Sequence, residues 1–203
     1  MKYDYKKRQR RSIRLKGYDY GQAGAYFITV CTRGREYLFG KVVDGEMQVN
    51  EMGQIVREEW LRTGDMRSNV ELDVFVIMPN HFHGIIVLHS DCMGVLQYAP
   101  TDNDRSTKNQ TPKLRSPSQT VGTIVRGFKS ASTKRVNAMR NMPGAPVWQR
   151  NYYEHIIRNE ESMNLIREYI INNPLQWEFD HENPNAVLAN SLLLLQKEEP
   201  WRV

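Results

Sequence analysis

The chain has 203 residues and a mass of 23.8 kDa; 40% of it is hydrophobic, 25% is charged, and the formal net charge is +5. This size and balance fit one globular domain with extensions, or at most two very small ones, and exclude collagen-like, mucin-like and wholly disordered chains. No apolar run approaches the ~20 residues of a membrane span. The basic start Met1–Lys16 lacks the apolar core of a signal peptide, and Cys31 and Cys92 are too few for a disulfide framework, so a cytoplasmic protein with reduced thiols is expected.

Residues 1–20 read as a basic arm without periodicity, in which Tyr3, Tyr5, Tyr18 and Tyr20 interleave with the charge. Such rings either stack on bases or pack the arm onto the domain. The run AYFITVCT at 25–32, rich in β-branched and aromatic residues, predicts the first strand. GKVVDGEMQV at 40–49 carries Asp44-Gly45, a two-residue hairpin signal. From Asn50, a plausible cap, Met52, Ile55, Val56, Trp60 and Leu61 recur at helical spacing to Thr63, and Gly64 is expected to close the helix. VELDVFVIM at 70–78 predicts a central strand, and HFHGIIVLH at 81–89 another after the Pro79-Asn80 break. Segment 90–117, rich in Ser, Thr, Asn and Pro, reads as a long loop. A basic amphipathic helix follows over 118–140, with Val121, Ile124, Val125, Phe128 and Ala131 inward. VWQRNYYEHII at 147–157 predicts a strand, and Asn159 caps a further helix that Pro174 stops. Residues 175–203 form an acidic extension with a helical stretch near 187–196. Interleaved strands, hairpins and helices indicate an α+β sheet with helices on one face.

Charge is unevenly distributed. Residues 1–18 hold eight basic residues against Asp4, a net of +7; residues 105–140 hold nine and no acid, a net of +9; the remainder carries −11. Two basic blocks on an otherwise acidic chain are the footprint of a polyanion binder, although either alone also reads as a solvated face or tail.

The sharpest chemical feature is Met78-Pro79-Asn80-His81-Phe82-His83. Residues i and i+2 of a strand share a face, so His81 and His83 present adjacent imidazoles suited to one divalent ion. The same pattern also fits two ordinary histidines at a strand start. On the last helix Tyr169 and Asn173 stand four residues apart, on one face. A phenol near a cation is a competent nucleophile, and an amide oxygen is a suitable ligand for a hard ion. Taken singly, Tyr169 also reads as a core-edge tyrosine and Asn173 as a helix terminator. Tyr152 and Tyr153 compete as nucleophiles, but only one of them can face the ion from a strand.

Four stretches carry a family resemblance: IRLKGY at 13–18 leading into AYFITVCT, VFVIMPNHFHGII, VGTIVRGFKS, and VWQRNYYEHIIR through EYIINNP. They span residues 13–174, about four-fifths of the chain. On these residues the chain resembles the REP-associated tyrosine transposases, a branch of the HUH single-strand DNA transposases. The resemblance implies a ferredoxin-like core with a central antiparallel sheet and helices mainly on one face, here residues 21–174. It implies a Mg²⁺ or Mn²⁺ ion on His81 and His83, completed by Asn173, and Tyr169 as nucleophile. Ligand type alone would favour zinc or copper for an imidazole pair.

The expected activity is metal-dependent nicking and strand transfer of single-stranded hairpin DNA through a 5′-phosphotyrosine. The expected protein is a monomer or homodimer, associated with the nucleoid and not with a membrane. Lys7, Arg8, Arg10, Arg11, Arg14 and Lys16 of the arm, Arg126, Lys129, Lys134 and Arg135 of the basic helix, and Arg150 are the expected nucleic-acid contacts. Trp148, Tyr152 and Tyr153 either stack on bases or pack in the core. The acidic extension is expected to dock on its own domain, on a partner subunit or over the DNA site. Two other readings compete: a hairpin-binding module without turnover, and a metallohydrolase using a metal-bound water, in which Tyr169 is structural.

Overall fold

A computed structural model describes residues 18–90 and 120–186. The arm residues Lys7, Arg8, Arg10, Arg11, Arg14 and Lys16, nearly all of the expected 90–117 loop, Cys92 and the helix expected at 187–196 lie outside the described residues.

In chain order the elements are β1 (Gly24–Cys31), β2 (Gly40–Val43), β3 (Glu46–Val49), α1 (Glu51–Asp65), β4 (Val70–Ile77), β5 (His81–Leu88), α2 (Val121–Met139), β6 (Tyr153–Ile157) and α3 (Glu160–Asn172). A 3-10 turn, Pro174–Phe179, follows α3. The main sheet has the order β4-β5-β1-β6, and every neighbouring pair is antiparallel. With α1 and α2 as crossovers, this is the ferredoxin-like arrangement. β2 and β3 form a separate hairpin, in which Asp44 and Gly45 take positive φ of 52° and 78°, as a two-residue turn between twisted strands requires.

Strand alternation divides the core in two. Tyr26, Ile28 and Val30 of β1 and Phe82, Ile86 and Leu88 of β5 face α1 and α2, where Trp60 and Phe128 meet with ring centroids 5.2 Å apart. Ala25 and Phe27 of β1 and Ile85 and Val87 of β5 face the other way and take Met163, Ile166 and Ile170 of α3. Among the described residues α1 and α2 thus share a face, and α3 packs on the other. A register shift between Leu72 and Phe75 keeps both in the first cluster while Val74 and Val76 join the second.

Of the two readings of the tyrosines at the end of the arm, Tyr20 and Tyr18 take the packing one: Tyr20 is buried in the core, and Tyr18 packs edge-on against it at 5.0 Å. Three expectations need correction. Gly64 does not close α1, which runs to Asp65 and is capped by the Met66 N–H on the carbonyls of Arg62 and Gly64. Leu61, expected inward, is exposed. The last strand starts at Tyr153, not Val147, and only a Thr32–Trp148 bridge pairs before it. The cause is Lys129: its ammonium gathers the carbonyls of Gln149, Arg150 and Asn151 at 2.6, 3.1 and 3.4 Å, and a pleated ladder would send alternate carbonyls in opposite directions.

Candidate active site

The β1–β5 register sets the surroundings of the two histidines. His83 lies opposite Thr29 and His81 opposite Cys31, all on the face that α3 covers. The Thr29 hydroxyl stands 2.8 Å from His83 Nδ1, and Asn80 Oδ1 stands 2.9 Å from His81 Nδ1. The Asn80 amide nitrogen is already spent as a donor to the carbonyls of Glu182, at 2.7 Å, and Arg35, at 3.4 Å. Its oxygen therefore accepts, His81 carries its proton on Nδ1, and the Nε2 lone pair is left free. Burial drives the pKa of both imidazoles below the ordinary histidine value. At His83 the neighbouring His81 adds to this lowering, whereas at His81 the charges of Asp180 and Glu182 oppose it. Two neutral imidazoles 4.5 Å apart are a donor pair ready for a cation.

α3 is built to reach them. Asn159 Oδ1 accepts from the Ser162 N–H at 2.8 Å, Glu160 and Glu161 occupy the first turn, and Met163, Ile166 and Ile170 form the buried stripe. Arg167 ties the helix to β4 through Asp73, with Nη2 2.5 Å from Oδ2. Tyr169, one position before Ile170, packs edge-on against Phe27 and places its hydroxyl 3.3 Å from His83 Nε2. One turn later Asn173 caps the helix, fully inside the protein. The negative end of the α3 dipole thus points at the centre, which favours a cation.

The four residues expected from the sequence, His81, His83, Tyr169 and Asn173, therefore converge. Sequence reasoning missed Asp180 and Glu182, which it left in the acidic extension. After the 3-10 turn the chain folds back, and Asp180 Oδ2 lies 3.7 Å from His81 Nε2 and 3.0 Å from Asn173 Nδ2. Glu182 is held by Arg35, by the Cys31 thiol at 3.0 Å and by His181 at 2.8 Å. Burial alone would raise the Glu182 pKa; the hydrogen bonds from His181 and Cys31 outweigh it and bring the carboxyl down to about 2. The available signal was local: Asp180 and Asn183 both accept from the backbone N–H two residues on, the turn habit of Asp and Asn.

The donor set fits a divalent cation. His81, His83 and Asp180 each offer one ligand atom within 4.8 Å of the others. His81 Nε2 and Asn173 Oδ1 are buried with no hydrogen-bond partner, a cost that a bound cation removes.

The other expected residues divide. Tyr153 lies on the site face against Phe27, whereas Tyr152 packs on the opposite cluster and donates to Glu154 at 2.7 Å. Trp148 is a core residue, with its indole N–H on the Ser132 hydroxyl. Lys129 is bound to the three carbonyls described above, and Arg135 pairs with Glu58 and Glu59. Arg126, Lys134 and Arg150 are exposed. Among the described residues no helix is long and apolar enough to cross a membrane.

No family model matches the chain. An uncharacterized protein of Haemophilus influenzae is 45% identical over 183 residues, covering 88% of this chain and 96% of that protein. Among solved structures, a REP-associated tyrosine transposase bound to a REP hairpin aligns with a TM-score of 0.51 at 19% identity, over 82% of this chain and 74% of that one. The chain therefore belongs to one family with the Haemophilus influenzae protein, and its fold is the α+β fold of the REP-associated tyrosine transposase.

Proposed function

We propose that this protein is a metal-dependent tyrosine transposase that nicks and rejoins single-stranded hairpin DNA through a 5′-phosphotyrosine. The observation that carries the reading is the Tyr169 hydroxyl 3.3 Å from His83 Nε2, beside a His81 whose own Nε2 is buried and unpartnered. The fold shared with a transposase bound to a REP hairpin supports hairpin DNA as the substrate class.

His81 and His83, completed by Asn173, would hold the ion, which supplies a Lewis acid for the scissile phosphate. Thr29 and Asn80 keep both imidazoles turned with Nε2 toward that point. Packing on Phe27 limits the swing of the Tyr169 ring and holds its oxygen near the reacting phosphate. The Tyr169 oxygen bonds to phosphorus, the P–O3′ bond breaks, and the phenolic proton ends on the released 3′-hydroxyl. The ester conserves the energy of the broken phosphodiester, so a second 3′-hydroxyl can displace Tyr169 without a nucleotide triphosphate. Arg126, Lys134 and Arg150 would follow the DNA backbone from the exposed surface.

The test incubates end-labelled hairpin oligonucleotides with Mg²⁺ or Mn²⁺ and wild type, Tyr169→Phe or His81→Ala, on a denaturing gel. The expected result is a denaturation-resistant adduct for wild type that both variants lack. Cleavage that survives Tyr169→Phe without an adduct would instead mean hydrolysis by water. Tight binding without cleavage by wild type would mean a binding module.

A further inference from the structure

His81, His83 and Asn173, two imidazoles and an amide, carry no charge as ligands, and an imidazole pair by itself suits zinc or copper better than magnesium or manganese. Asp180 changes that chemistry. Its side chain is 2% exposed, and it comes from the segment that folds back after the 3-10 turn.

We propose that Asp180 adapts this centre to a hard divalent cation, by delivering one carboxylate oxygen to the ligand point and by fixing the Asn173 amide with its oxygen aimed there. The proposal rests on the reading of the centre as a metal site and adds a ligand and a selectivity to it. Only the amide nitrogen of Asn173 can donate to Asp180 Oδ2, at 3.0 Å, so the opposite atom, Oδ1, is the one left buried and unpartnered. Oδ2 has a second lone pair and lies 3.7 Å from His81 Nε2, the other unpartnered atom of the site. Ligand atoms within 4.8 Å of one another match the span of a cation bound at ~2.0–2.6 Å. The second carboxylate oxygen, Oδ1, accepts the Glu182 N–H at 2.6 Å, which sets the rotation of the group.

The docked segment is held from outside the centre. Glu182 is gripped by Arg35, Cys31 and His181, and its carbonyl takes the Asn80 amide at 2.7 Å. Asn80 thereby fixes His81 with one end of its side chain and the segment carrying Asp180 with the other. With two oxygens beside the two nitrogens, the donor set shifts toward ions that prefer oxygen.

The test is metal binding by the full chain without DNA, by isothermal titration with Mn²⁺ and Zn²⁺ and by the Mn²⁺ electron paramagnetic resonance signal. Asp180→Asn is expected to weaken Mn²⁺ at least tenfold and Zn²⁺ severalfold less, shifting the ratio of the two affinities. Mn²⁺ affinity within twofold of wild type, or an equal loss for both ions, overturns the proposal while the metal site stands. Should Asp180→Asn fail to fold, Asp180→Glu, with its carboxylate one methylene farther out, is expected to weaken Mn²⁺ at least threefold; unchanged affinity overturns the proposal. If wild type binds neither ion, or His81→Ala binds both as tightly as wild type, the metal reading itself falls, and this proposal with it.

Discussion

Asn80 shows how much of the centre hangs on one buried amide. Its oxygen sets the His81 tautomer, and its nitrogen closes the turn that brings Glu182 alongside. Asn80→Ala leaves an imidazole N–H and a carbonyl without partners in the interior, so a loss of about 2–4 kcal/mol is expected in urea unfolding. A change below about 0.5 kcal/mol would mean that water replaces both bonds. Gly84, next to the second histidine, is required by packing and not by a ligand: a Cβ there would lie 2.8 Å from the Phe82 ring and 2.9 Å from the Trp60 ring. Gly84→Ala is expected to cost about 1–3 kcal/mol by the same measurement. His81, His83, Tyr169 and Asn173 were legible in the sequence because fixed periods, two on a strand and four on a helix, put each pair on one face. Asp180 was not legible, because it arrives after an irregular turn that has no period to read.

At the scale of elements, caps and turn residues carried the information. Asn50, Asn159 and Asp44-Gly45 mark their boundaries correctly because each satisfies a local backbone need. The start of β6 was hidden because the Lys129 contact that displaces it comes from twenty residues earlier in the chain. β6 also carries a pH effect. Burial, assisted by the charge of Arg158, holds the His155 pKa below the ordinary value. Below about pH 6.5 the unfolded chain takes up a proton at this residue that the folded chain does not. The contribution of His155 to stability is therefore complete above that pH and is lost as the pH falls. His155→Gln is expected to make the acid limb of a stability–pH curve shallower than wild type between pH 7 and 5, by at most about 1.4 kcal/mol per pH unit. Parallel limbs would contradict a lowered His155 pKa.

For the molecule as a whole, the sequence conveyed an α+β fold with a central antiparallel sheet, but not which basic residues are already committed to partners within the fold. Composition counts a lysine committed to three carbonyls and an arginine committed to two glutamates as equal to exposed ones. Arg126→Ala, Lys134→Ala and Arg150→Ala are therefore each expected to reduce the slope of log affinity against log salt for single-stranded DNA by about 0.7. Arg135→Ala is expected to leave that slope unchanged and to cost at most about 1 kcal/mol of stability. A slope that moves only with Arg135 would mean that its glutamate pairs open on binding.

If Tyr169 is the nucleophile, trypsin can locate the covalent bond directly. Cleavage after Arg167 yields a peptide over 168–197 with Tyr169 as its only tyrosine, while Tyr152 and Tyr153 share the peptide 151–158. After reaction with hairpin DNA and digestion by nuclease and trypsin, mass spectrometry is expected to find a nucleotide phosphate on the 168–197 peptide. The same mass on the 151–158 peptide, or on neither when a covalent adduct is present, would contradict the account.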